Sequence, residues 1–181
     1  MPVGLMHSLK EAPEHIRVLS QNISLIWPLV MDLIGEKDRQ RFEFGRLPDP
    51  LRELLAAMRP PLQPLVAGLD KLSDMLQKSL DPSENGDLSR DIAEAWQAPI
   101  GIMLAKAEEL SESLSWLATE EGEGELPVAR WLTKTPYGED WDIIISASPI
   151  SVAAQLRRNL WSRCYGAVVT SATMTALNSF N

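Results

Sequence analysis

The stretch "LRELLAAMRPPLQPLVAGLDKLSDMLQKSL", Leu51 to Leu80, decides the architecture. Leu51, Leu55, Met58, Leu62, Leu65, Leu69, Leu72 and Leu76 advance by steps of four and three, the seam of a helix whose apolar side faces other helices. It is the longest regular pattern in the sequence. Pro60, Pro61 and Pro64 interrupt it. Two consecutive prolines fit the first turn of a restarted helix, where backbone N–H groups have no intrahelical partner in any case. The pattern therefore predicts two helices with a bend near Arg59.

On the N-terminal side, Ile16, Leu19, Ile23, Ile26, Val30 and Leu33 fall on one helical face between Glu14 and Gly35. Pro28 removes a backbone donor there, which predicts a kink near Trp27, and Gly35 is a natural stop. The connector "EKDRQRFEFGRLPD", residues 36 to 49, is polar and charged, with Phe42 and Phe44 alternating as in a short extended segment. On the C-terminal side, "DPSENGD", residues 81 to 87, is a loop signal. A third long helix then spans Leu88 to Ala118, with Trp96, Met103, Ala107, Leu110, Leu114 and Leu117 on one stripe. It reaches about 45 Å if unbroken, with Pro99 and Gly101 as places for a bend. "TEEGEGEL", residues 119 to 126, reads as a solvated turn between units.

Composition changes after Leu126. "VARWLTK", "WDIIISASP" and "YGAVVTSAT" are strand-length runs, and "SVAAQLRRNLWSR" between the last two has helical periodicity with Ser151 as N-cap. The expected class is mainly α, of the α+β kind: an antiparallel bundle of long helices over residues 1–127, then a strand-strand-helix-strand piece over residues 128–181. That second piece is too small to cover a sheet, so its edges call for partners. Two expectations follow: the chain is a portion of a larger protein, and copies associate through exposed strand edges.

The totals narrow the function. With 181 residues, 45% of them hydrophobic, the chain can bury the core of one or two small domains. A net charge of -8 opposes a free-standing nucleic-acid-binding protein, which needs a surplus of Lys and Arg. Cys164 is the sole cysteine, and His7 and His15 sit apart, so neither a disulfide framework nor a Cys/His metal site can be assembled. No apolar run reaches the roughly 20 residues of a membrane span, and the N-terminus lacks a secretory pattern, so a cytoplasmic location is expected.

Near the C-terminus, Val168-Val169-Thr170-Ser171-Ala172-Thr173 is a buried-strand pattern followed by small and hydroxyl side chains. Such residues can let a strand end approach a phosphate site or a neighbouring strand and offer hydrogen bonds there. The run "VVTSATMTALNSF" resembles the third helicase motif of the superfamily 2 iron-sulfur helicases, XPD-like proteins, in their DinG/YoaA branch. "ASPISVAAQLRRNLW", "RWLTK" and "RFEFGRLPD" are similar to stretches around that motif and within the helical insertion before it. The resemblance implies that residues 1–127 are an arch, a helical insertion that helps enclose a translocating single strand of DNA. It implies that residues 128–181 return into the first RecA-like motor domain, and that Thr170, Ser171, Ala172 and Thr173 belong to the motif that couples ATP hydrolysis to DNA movement. Met174 departs from the usual leucine, a volume-conserving change.

ATP, magnesium and an iron-sulfur cluster are thereby implied for the whole helicase and none of them for this piece. The chain has no G-x-x-x-x-G-K-[ST] loop, no acidic box and no cysteine quartet. On this reading the piece is a non-catalytic structural module of a 5′ to 3′ DNA helicase, with single-stranded DNA as partner through the whole protein. Simpler readings stand beside these. Arg157, Arg158 and Arg163 near Trp161 are candidates for phosphate contact, although a solvated helix face explains them more simply. Trp27, Trp96 and Trp116 read as packed core before stacking platforms, and Cys164 as a small buried residue. The rival class is a helical protein-interaction or adaptor domain without catalysis, in which the leucine stripes dock a partner.

Overall fold

A computed structural model describes residues 3–83, 86, 88–119, 128–138, 140–151, 153, 156, 157, 160–166 and 168. Helix α1 spans Val3–Ile34, strand β1 Arg39–Arg41, helix α2 Asp49–Ala57, helix α3 Arg59–Leu80 and helix α4 Arg90–Ala118. Strands β2, Val128–Tyr137, and β3, Asp140–Pro149, follow. The class is the expected one, mainly helical with a small antiparallel sheet.

The leucine seam becomes α2 and α3. Met58 joins them, and Pro60 and Pro61 open the first turn of α3, where their missing donors cost no hydrogen bond. Pro64 lies farther inside α3, and α1 and α4 likewise stay helical through Pro28 and Pro99. Helix α1 begins well before Glu14, so its apolar stripe covers only its second half.

Helix α3 packs against both α1 and α4. The core gathers Val30 and Ile34 from α1, Leu51 and Leu55 from α2, and Leu114 and Leu117 from α4. Leu132 of β2 is fully buried in the same cluster, and Ile143, Ile145 and Ala147 of β3 pack on it. One face of the sheet thus closes the bundle.

The sheet has the order β1-β2-β3, with Arg39 opposite Thr133, Gln40 opposite Leu132 and Arg41 opposite Trp131. The Lys134 amide donates to the Asp38 carbonyl at 2.9 Å and the Phe42 amide to the Arg130 carbonyl at 3.1 Å, continuing the pairing at both ends. The extended segment expected across Phe42 and Phe44 is therefore shorter. It stops at Arg41, and Glu43–Gly45 is a 3-10 turn in which Phe44 takes φ +52°.

Packing and composition divide the chain differently. Residues 1–148 form one compact unit, so β2 and β3 belong with the helices, and residues 149–181 form a second unit. The compositional break expected near Leu126 falls among residues 120–127, outside those described. In the second unit, Ala153, Leu156 and Arg157 are helical and Trp161–Arg163 is a 3-10 turn, within the helix expected over Ser151–Arg163. The strand expected around Val168 lies almost wholly outside the described residues, and Val168 itself is exposed.

Candidate functional site

Thr170, Ser171, Ala172, Thr173 and Arg158 lie outside the described residues. Arg157 and Arg163 are exposed, as a solvated face or a phosphate contact would require. Cys164 is exposed rather than buried, between the 3-10 turn at Trp161–Arg163 and a bend at Tyr165. Among the described residues no three His, Cys, Asp or Glu side chains converge as a metal site would need. No described helix is long and apolar enough to cross a membrane.

The first unit is organised around a residue to which no sequence pattern draws notice. Arg130, the third residue of β2, where buried and partly buried positions alternate, is only 4% exposed. Its Nε and Nη2 donate to the Trp116 carbonyl at 2.9 and 2.7 Å, Nη2 also to the Thr119 carbonyl at 2.8 Å, and Nη1 to the Gly45 carbonyl at 2.9 Å. Carbonyls in the last turn of a helix have no intrahelical donor and carry the negative end of its dipole, so a buried guanidinium satisfies both their hydrogen bonding and their charge. The signal available in sequence is an arginine at a core-facing position of β2, between Val128 and Leu132.

Arg130 also fixes the 3-10 turn. Gly45 has φ +69°, and a Cβ there would collide with the Val128 carbonyl, so only glycine lets the turn lie this close to β2. With Gly45 pinned, Phe44 is held in the left-handed region at 73% exposure. A non-glycine residue there costs about 1–2 kcal/mol relative to a relaxed turn. The strained turn projects an apolar ring into solvent.

Next to this turn, the outward face of the sheet is basic and aromatic. Paired residues of antiparallel strands share a face, so Arg39, Arg41, Trp131 and Thr133 stand together, opposite the buried side of Arg130 and Leu132. The Arg39 guanidinium lies over the Trp131 ring, 4.9 Å from its centroid. Elsewhere, Trp27 stacks on Trp141 at 6.2 Å, and Lys134 Nζ sits 4.6 Å from the Trp141 centroid while donating to the Gly35 carbonyl at 2.7 Å.

The tryptophans expected in the core are therefore only partly there. Trp116 is half-buried, but Trp27 and Trp96 are exposed. Helix α4 carries a wider apolar arc than α3 can cover: Ala93 and Leu114 are buried, while Trp96 and Met103 lie to one side in solvent.

No family model matches the chain. Curated relatives do. Over 140 residues, 77% of this chain and 20% of the relative, it is 33% identical to the ATP-dependent DNA helicase DinG of Photobacterium profundum. It matches a segment of DinG-type helicases. The DinG proteins of Escherichia coli K12 and Salmonella typhimurium LT2 align with 99% of this chain, at 27% and 28% identity, over 24% of their own lengths. The chain thus spans about a fifth to a quarter of the DinG relatives it matches.

Proposed function

We propose that the chain is the arch of a DinG-type ATP-dependent DNA helicase, together with the polypeptide that leads from it into the first motor domain. The observation that carries this reading is the alignment of nearly the whole chain with DinG sequences, in a chain that also contains the T-S-A-T run at Thr170–Thr173. The buried cluster of helices and sheet supports a structural role for residues 1–148. In this reading, the arch of residues 1–127 helps to fence a single DNA strand, and Thr170, Ser171 and Thr173 help to couple ATP hydrolysis to its movement.

The residues present do not fit the groups that such a helicase requires. One cysteine cannot hold an iron-sulfur cluster, and no phosphate-binding loop is present for ATP and magnesium. Hydrolysis is therefore assigned to other parts of the whole protein, and this chain is given no catalytic step. The adaptor reading draws on α4, where Ile92, Trp96, Ile102 and Met103 are 49–60% exposed, but it leaves the alignment with helicases unexplained.

The test is made in the full-length protein, with Ser171→Ala and Thr173→Ala. Coupling residues predict retained DNA-stimulated ATP hydrolysis with strand displacement reduced by an order of magnitude or more. Unwinding at the wild-type rate, or a full-length protein without 5′ to 3′ unwinding, would refute the proposal.

A further inference from the structure

We infer that the first unit carries its own contact for single-stranded DNA, formed by Phe44 and the basic, aromatic sheet face of Arg39, Arg41 and Trp131. The inference rests on the helicase reading for the identity of its ligand, but its evidence is local.

Charge is the first observation. The chain is strongly acidic overall, yet residues 37–46 hold Lys37, Arg39, Arg41 and Arg46 against Asp38 and Glu43. All four cations are exposed. Arg39 and Arg41 project from the same face of β1, two residues apart, so their guanidinium groups can meet successive phosphates. Against the net negative charge of the whole chain, this local surplus of cations favours a polyanion here.

Aromatic presentation is the second observation. Single strands bind where bases stack on exposed rings beside a basic track. Trp131, half-buried, is the cross-strand partner of Arg41 and the cation–π partner of Arg39. Phe44 follows within three residues of Arg41, held outward by a turn that Gly45 and Arg130 lock in place. A ring fixed before the ligand arrives loses little rotational freedom on binding. An exposed phenylalanine in a strained backbone has no role in the core, and base stacking supplies one.

The experiment uses the chain as it stands, without ATP, and measures fluorescence anisotropy of a labelled oligothymidylate of about twenty nucleotides at several salt concentrations. Phe44→Ala is expected to weaken binding about tenfold, and Phe44→Trp to restore it. The Arg39→Ala, Arg41→Ala double variant should weaken binding and lower the salt slope by about 1.4, the value for two phosphates of a single strand. Circular dichroism and thermal unfolding verify that each variant keeps the wild-type fold. No binding by the wild-type chain, or wild-type affinity in Phe44→Ala and in the double variant, would overturn the inference. Those outcomes leave the helicase reading standing, since that is scored by unwinding in the full-length protein.

Discussion

Two nitrogens of Arg130 converge on one oxygen, the carbonyl of Trp116, at 2.9 and 2.7 Å. The same side chain holds Thr119 and Gly45, so one guanidinium joins the end of α4, the turn after β1 and the start of β2. Arg130→Met keeps much of the volume and leaves these carbonyls without their donor. The expected loss is about 3 kcal/mol in urea unfolding, with Arg130→Lys intermediate, because an ammonium keeps the charge but not the fork.

Gly45 and Gly101 should respond in opposite directions. Gly45→Ala places a methyl group against the Val128 carbonyl at φ +69° and should cost about 2–3 kcal/mol. Gly101 lies inside α4, and a methyl group added there would have no neighbour within 4 Å, so Gly101→Ala should stabilise by about 0.5–1 kcal/mol. Thermal unfolding of the two variants gives the comparison.

Exposure separates two large residues of α4. Leu114 is 2% exposed within the main cluster, and Leu114→Ala should cost about 3–5 kcal/mol. Trp96 is 57% exposed, and Trp96→Ala should change stability by less than about 1 kcal/mol. Chemical denaturation of both variants checks the ratio.

The loop after α3 has an acid-sensitive clasp. Asp81 Oδ1 accepts from the Ser83 hydroxyl at 2.6 Å and from the Ser83 amide at 2.8 Å, and these bonds, the hydroxyl first, hold its carboxyl below the usual aspartate range. Since the folded value lies below the unfolded one, the contribution is present above the unfolded value and is lost as pH falls through the folded one. A carboxyl NMR titration should show the lowered midpoint, moving back toward the ordinary value in Ser83→Ala. A Ser83→Ala titration unchanged from wild type would refute the assignment.

The helices are legible in sequence because periodicity and proline placement act locally. The seam from Leu51 to Leu76 and the pair Pro60-Pro61 are enough to give α2, α3 and the break between them. The sheet is less legible. β1 is only three residues long, and its existence depends on β2, far along the chain. Local pattern cannot reveal which distant segment supplies a strand's partner. The same limit hides Arg130, whose role appears only when three separate carbonyls meet around it, and it hides the exposure of Trp96, which depends on the width of the face that α3 offers. The role proposed for Thr170–Thr173 rests on resemblance alone, since a short run of small side chains carries no periodicity.

Gly45 and Arg130 are 85 residues apart in the chain. During synthesis from the N-terminus, β1 and the turn after it emerge long before the strand that completes them. Until β2 leaves the ribosome, the nascent helices can gather locally, but Phe44 has no lock and β1 no ladder. Closure of this large loop is thus a late event, and translation stalled between α4 and β2 would leave a helical intermediate with its open end available to chaperones.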